Sequence, residues 1–145
     1  MSTNHLDVPT DESCAFCAYI RGERPYTILR RSDKIATLVT REQRGVGHLL
    51  VVPIRHVPTI LELSDDEAQG VILEVREMAA LIDRVFERPG IAVWQNNGVS
   101  AAQAIGHVHF HVAGTLSEGG TDFGDVPELT VAETDAIAAT LRHAT

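Results

Sequence analysis

The chain is short of positive charge, of cysteine and of long apolar runs. Twelve lysines and arginines face twenty acids, for a formal net charge of −8. A surface of that sign repels nucleic acid and anionic membranes, so neither is expected as a partner. An anionic small molecule requires a locally donor-rich pocket. No apolar run approaches the roughly 20 residues that cross a bilayer. Residues 1–13 have neither a basic nor an apolar stretch, so no secretory signal is read and a cytoplasmic location is expected. There is no internal repeat and no low-complexity tract. The only cysteines are Cys14 and Cys17. In a reducing compartment a stable disulfide is not expected. The pair reads as a metal half-site, a redox motif or two idle thiols.

What is there suits one globular domain, since 145 residues can bury one sizeable core. Residues 1–12 read as a loose arm. Cys14–Arg21 reads as a short helix stopped by Gly22 and Pro25. Tyr26–Arg30 and Lys34–Val39 suggest a hairpin, and Leu49–Val52, closed by Pro53, a buried strand. Over 64–87, apolar residues recur at Ala68, Val71, Ile72, Val75, Met78, Ala79, Ile82, Val85 and Phe86. That is one stripe at helical spacing, opened by the capping box Ser64/Glu67 and ended by Pro89-Gly90. Ile91–Gln95 reads as a strand, Asn96–Gly106 as a loop and His107–Ala113 as a strand. After a loop over 114–127, Thr130 and Glu133 cap a second helix running to about His143. Hairpins without repeated βαβ units indicate an α+β fold with a mainly antiparallel sheet of about five strands and two principal helices.

The chemistry centres on His107-Val108-His109-Phe110-His111-Val112. Strand side chains alternate, so the three histidines share one face and Val108, Phe110 and Val112 the other. The apolar face seals a core while the histidine face lines a cleft. A neutral imidazole is a good nucleophile towards phosphorus, and covalent capture on its ring splits one hard displacement into two easier ones. A neighbouring imidazole can donate to phosphate oxygens. The nucleophile's second nitrogen must meet an acceptor that fixes its tautomer. The preceding loop adds amides at Asn96, Asn97 and Gln103, a hydroxyl at Ser100, and glycines that let backbone N–H groups approach an anion.

The pattern His-φ-His-φ-His-φ-φ, where φ is apolar, resembles the histidine triad family, and His107–Ala113 matches every position. Gly47-His48-Leu49-Leu50-Val51-Val52-Pro53 with His56 beyond it, and Asn96-x-Gly98 with Gln103 four residues before the triad, strengthen the resemblance over about residues 14–113. Cys14-x-x-Cys17, with Arg21-Gly22-Glu23-x-Pro25 behind it, is similar to zinc-bearing bacterial members. The resemblance implies a half-barrel-like antiparallel sheet with helices, usually in a homodimer. It implies attack on the α-phosphorus of a nucleotide conjugate, a phosphoramidate or a dinucleoside polyphosphate, followed by hydrolysis or transfer of the nucleotidyl group. By match, His109 is the nucleophile, His111 binds phosphate oxygen and assists the leaving group, and His48 orients the histidines. Asn96 and Gln103 contact substrate, with Ser100 and Ala104 beside them. The zinc-bearing members imply structural zinc on Cys14, Cys17, His56 and His107, a closed tetrahedral set, and no organic cofactor.

The chain departs from the family at particular positions. Thr40 stands where many members carry an acid that grips the ribose. Ala101 and Ala102 precede Gln103 where glycine is common. Ala104 replaces a hydroxyl residue that donates to the leaving group. Arg41 and Arg44 read either as contacts to an anionic group or as solvated surface. Residues 114–145, with Asp122, Asp125 and Glu128, read as a loop plus a packing helix, and His5 and His143 as surface. Two other functions share these residues: a metal-dependent phosphoester hydrolase with a metal on adjacent triad histidines, and a nucleotide-binding protein without turnover.

Overall fold

Along Ile35–Val39 and Val46–Pro53 every side chain except that of Val46 is buried, so neither face of these strands meets water. They form the centre of the sheet in the computed structural model, which describes residues 4–10 and 13–144. The elements run α1 (Ala15–Ile20), β1 (Ile28–Arg31), β2 (Ile35–Val39), β3 (Val46–Pro53), α2 (Asp65–Phe86), β4 (Ile91–Trp94), β5 (Phe110–Gly114) and α3 (Val131–Arg142). The sheet order is β1-β2-β3-β5-β4, antiparallel at every pairing. The expected α+β class, the five strands and the two principal helices, α2 and α3, are all present.

Period-two alternation gives the sheet two different faces. Ile35, Val39, Leu49, Val51 and Val112 pack against Val71, Val75, Met78 and Ile82 of α2 and Ala138 and Leu141 of α3. Ala36, Leu38, Leu50 and Val52 point the other way, onto Phe16 and Ile20 of α1. Because α1 has only six residues, it covers part of that second face.

The long helix follows its sequence signals closely. Ser64 Oγ accepts from Glu67 N–H at 3.1 Å and Glu67 Oε1 accepts from Ser64 N–H at 2.9 Å. The Arg55 guanidinium also grips Glu67, at 2.7 Å, and holds its carboxyl down at a pKa of about 2. The helix ends at Glu87, which takes a left-handed turn at φ 50°, before the expected Pro89-Gly90 stop. Ile72, expected in the buried stripe, is 57% exposed. The contact line runs through Val71, Val75, Met78 and Ile82, and Ile72 lies one step, about 100°, around the helix from it.

Two local irregularities shape the functional face. The histidine strand begins at Phe110, not at the expected His107. Val108 N–H donates to Val57 O at 2.7 Å and the His107 ring bonds to Pro53 O, so this segment joins the last residue of β3 and the chain after it instead of the ladder. The second is a bulge. Val46 pairs with Gly114 and Leu49 with Val112, so β3 carries one residue more than β5 over this stretch. Gly47 absorbs it at φ 65°, the glycine bulge geometry that re-aims the following side chain, here His48. A Cβ on Gly47 would lie 2.5 Å from the Phe86 ring. Gly47→Ala is therefore expected to destabilise the fold by about 1–3 kcal/mol, through left-handed strain and overpacking together, read as a lower urea midpoint at unchanged slope.

Candidate active site

The second sheet face carries a row of rings. Leu50, His111 and Trp94 stand abreast on β3, β5 and β4. Trp94 stacks on His111 with centroids 4.6 Å apart and planes 4° from parallel. The His109 ring meets His111 at 5.0 Å and the edge of Phe16 at 5.1 Å. His48, 1% exposed, is re-aimed by the bulge so that its Nε2 reaches His111 Nδ1 at 3.0 Å.

Hydrogen-bond direction assigns the tautomers. The Arg44 backbone N–H can only donate, and it meets His48 Nδ1 at 3.1 Å. The His48 proton therefore sits on Nε2 and is donated to His111 Nδ1. His111 consequently carries its own proton on Nε2. The His107 carbonyl can only accept, and it lies 2.8 Å from His109 Nδ1. His109 therefore holds its proton on Nδ1 and keeps a lone pair on Nε2. All of this requires neutral rings. Burial pushes His48 down to about 4, and burial with the neighbouring histidines pushes His111 to about 2. Burial also lowers His109, against the opposing pull of the His107 carbonyl. The pair thus offers one nucleophilic nitrogen and, beside it, one donor.

These rings line a cleft of about 370 Å³ whose wall includes Phe16, Tyr19, Thr40, Asn96, Ala104 and Ile105. Of the expected substrate residues, Asn96 and Ala104 are on this wall. Gln103 is not. It is buried, its Oε1 accepts from Gly98 N–H, and its Nε2 donates to the Pro58 and Ile105 carbonyls, so its amide holds the loop together. Ser100 is exposed in a short 3-10 turn over Val99–Ala101, away from the cleft wall. Residues 4–10 of the expected loose arm run along this loop. Val99 N–H donates to Asp7 O at 2.7 Å, and Pro9 O occupies the space a Cβ would need at Gly106. Residues 1–3, 11 and 12 of the arm lie outside the described residues.

Beside the cleft, Cys14, Cys17, His56 and His107 place their ligand atoms within 4.8 Å of one another. Cys14 Sγ lies 3.3 Å and Cys17 Sγ 3.6 Å from His107 Nδ1, and Cys17 Sγ lies 3.6 Å from His56 Nδ1. Cys14 caps α1, which puts Cys17 one turn on, with its N–H on the Cys14 sulfur. His107 Nε2 donates to Pro53 O at 2.8 Å, which leaves Nδ1 bare towards the thiols. A ring held from behind in this way is how a metal-ligating histidine is oriented. Burial and the Cys14 side chain raise Cys17 to about 11, so without a cation beside it the Cys17 thiol keeps its proton. Donor type, number and spacing fit one tetrahedral metal ion.

Several residues of the site carry no sequence signal. Gln43 bonds both backbone groups of His48, and Trp94 packs over His111. Glu128 and Phe123, from the loop after β5, also line the cleft. Arg41 and Arg44 hold that loop. Arg41 Nε donates to Leu129 O and its guanidinium pairs with Glu128 at 3.2 Å, while Arg44 Nη1 donates to Asp122 O and Gly124 O. Neither reading of these arginines from sequence included this tether, because their partners lie some 80 residues away.

At pH 7, nitrogen-15 NMR should find His48 and His111 protonated on Nε2 and His109 on Nδ1. An imidazolium signal from His48 or His111 would overturn the assignment. Unfolding returns His48 to its ordinary 6.5, so the unfolded chain binds this proton first. The contribution of His48 should therefore lower stability progressively as pH falls from about 6.5 to about 4, and His48→Asn should flatten that part of the profile.

The HIT domain family model matches residues 21–117. The chain is 30% identical over 104 residues to an adenosine 5′-monophosphoramidase of Candida albicans, covering 69% of this chain and 68% of that protein. A HIT-like protein from Bartonella henselae superposes with a TM-score of 0.84 at 23% identity, over 94% of this chain and 98% of that one. A zinc-bound histidine triad protein from Mycobacterium smegmatis gives 0.75 at 21% identity, over 90% and 94%. With its histidine row, its sheet and two thirds of its length in agreement, the chain belongs to the HIT domain family.

Proposed function

We propose that the chain is a nucleotide-binding hydrolase or transferase that attacks the α-phosphorus of a nucleotide conjugate through His109. The observation that carries this reading is the opposed pair of tautomers, a bare Nε2 on His109 beside an Nε2–H on His111, both at the cleft. The His109 lone pair forms the P–N bond. The leaving group departs with its bonding electrons, hydrogen-bonded by His111 Nε2–H, and takes a proton from a water molecule. The resulting nucleotidyl-imidazolium keeps its Nδ1–H on the His107 carbonyl, which eases the positive charge. The hydroxide left by that water attacks phosphorus, and the P–N electrons return to His109 as the nucleoside monophosphate forms. A hydroxyl acceptor in place of water makes the same step a transfer. Ala104 adds no hydroxyl, so hydrogen bonding to the leaving group falls to His111. Asn96 supplies an amide to the phosphate, whereas Gln103 serves by shaping the loop. The Candida relative, named for phosphoramide cleavage, supports this choice of bond.

Cys14, Cys17, His56 and His107 would hold a structural zinc, in keeping with the zinc-bound mycobacterial relative. His109 and His111 are outside this set, and its four donors close it without an open position. A homodimer is part of the same reading. It is supported by β4 at the sheet edge with Val93 49% exposed, and by Ile72 and Leu73 exposed on α2. Among the described residues no helix is long and apolar enough to cross a membrane, and a cytoplasmic location fits the paired thiols.

Incubated with nucleoside phosphoramidates and dinucleoside polyphosphates, the parent should release nucleoside monophosphate. His109→Ala should lose at least 1,000-fold in rate, on the order expected when a covalent nucleophile is removed. Equal release by parent and variant would sink the mechanism. Elemental analysis should give about one zinc per chain, falling towards zero in Cys14→Ser/Cys17→Ser. Chelation should lower the melting temperature before activity is lost, whereas an immediate loss of activity in a still-folded protein would favour a catalytic metal.

A further inference from the structure

The chain is poor in aromatics, yet it concentrates them. Of four Phe, two Tyr and one Trp, five line the cleft: Phe16, Tyr19, Tyr26, Trp94 and Phe123. Four of these rings are engaged. Tyr19 stacks on Tyr26 at 3.9 Å, Trp94 on His111 at 4.6 Å, and Phe16 packs edge-on against Tyr19, His107 and His109. Phe123 enters no ring contact among the described residues and is 83% exposed. Leaving a phenyl ring in water forfeits about 1.5–3 kcal/mol of burial.

The segment carrying Phe123 is nevertheless built with care. Arg44 Nη1 donates to Asp122 O at 3.2 Å and Gly124 O at 2.5 Å, gripping the carbonyls on either side of Phe123. Asp122 N–H returns to Arg44 O at 2.7 Å, and Gly124 N–H donates to Asp122 Oδ1 at 2.9 Å. The Arg44 guanidinium is itself braced by Glu42 at 2.9 Å. The backbone N–H of this same arginine fixes the His48 tautomer. One residue thus anchors the histidine relay with its main chain and the aromatic apex of the outer wall with its side chain.

We propose that Phe123 is a base-stacking residue: held by Arg44 at the cleft mouth, its free face covers the planar heteroaromatic base of the bound nucleotide. This deepens the proposed function and rests on it. A nucleotide with its phosphate at His109 and His111 brings an apolar, planar group to a rim where one unpartnered ring is fixed in place. Stacking of a base on an aromatic side chain is worth about 1–3 kcal/mol. It is sequence-tolerant, because every base has a π face. Selectivity from this wall therefore lies between ligands with and without a base.

Calorimetric titration of the parent, Phe123→Ala, Phe123→Leu and Phe123→Trp with adenosine 5′-monophosphate and with ribose 5-phosphate tests this. The alanine variant should weaken the adenosine ligand about 5- to 100-fold, the range that stacking energy implies. It should shift ribose 5-phosphate by less than about twofold, so the preference for the base-bearing ligand collapses. Tryptophan should match or exceed the parent, and leucine, apolar but without a π face, should fall between parent and alanine. Adenosine monophosphate binding unchanged in Phe123→Ala would overturn the inference while leaving the nucleotide reading standing. No binding of either ligand to the parent would overturn both. Sedimentation velocity on the same proteins separates the remaining role. A parent dimer that dissociates in Phe123→Ala makes the ring an interface residue and overturns the proposal.

Discussion

The hydrogen bond from His109 Nδ1–H to the His107 carbonyl ties the two halves of the site together. It fixes which nitrogen of His109 faces the cleft, and a carbonyl does so without a charge that protonation could remove. The same residue that supplies the carbonyl commits its own ring elsewhere, Nε2 to Pro53 O and Nδ1 towards the two thiols. Whatever sets the position of His107 therefore sets the aim of His109. The cluster of sulfurs and imidazoles is thereby coupled to the direction in which His109 points. The first residues of the triad leave the β-ladder because His107 cannot serve both the cluster and a regular strand.

The second constraint is one-way donation from the other side. A backbone N–H at Arg44 passes its direction through His48 to His111, and each link holds because the rings are buried and neutral. The Gly47 bulge is the geometric condition for that chain. Without the extra residue, His48 would fall in the regular register opposite β5. Gln43, bonded to both backbone groups of His48, keeps the bulge from relaxing. The local sequence around His48 thus sets the proton direction at His111, which the triad alone does not.

The segment Thr40–Arg44 ties down the loop after β5. Its arginines reach across to residues 122–129 and hold the loop after β5 against the cleft. Thr40 is buried, and its Oγ1 accepts from Glu42 N–H, so it shapes the turn that presents those arginines. The cleft wall thus joins Thr40–Arg44 to Phe123 and Glu128 from a distant part of the chain.

Much of this was legible in the residues themselves. Ser64/Glu67 and Thr130/Glu133 are local, reciprocal hydrogen bonds three residues apart, and they place both principal helices to within a residue at their starts. Alternation around His107–Val112 separates a histidine face from an apolar one because side-chain direction in extended chain needs only sequence parity. The pairing of Cys14-x-x-Cys17 with His56 and His107 was legible only through resemblance, since the four residues span more than 90 positions. Other features belong to tertiary structure alone. The Gln103 amide turns inward because Pro58 and Gly98 happen to lie beside it. The histidine strand starts late because Val57 and Pro53 draw off its first bonds. Trp94, Phe123 and the tether from Arg44 join the site across long separations, and no local pattern encodes which backbone carbonyl a guanidinium will meet. The sequence by itself determined the elements, the two-faced sheet and the row of histidines on one face, because these rest on short-range geometry. The tautomers, the bulge-set angle of His48 and the wall of the cleft were decided only when distant donors and acceptors met in the fold.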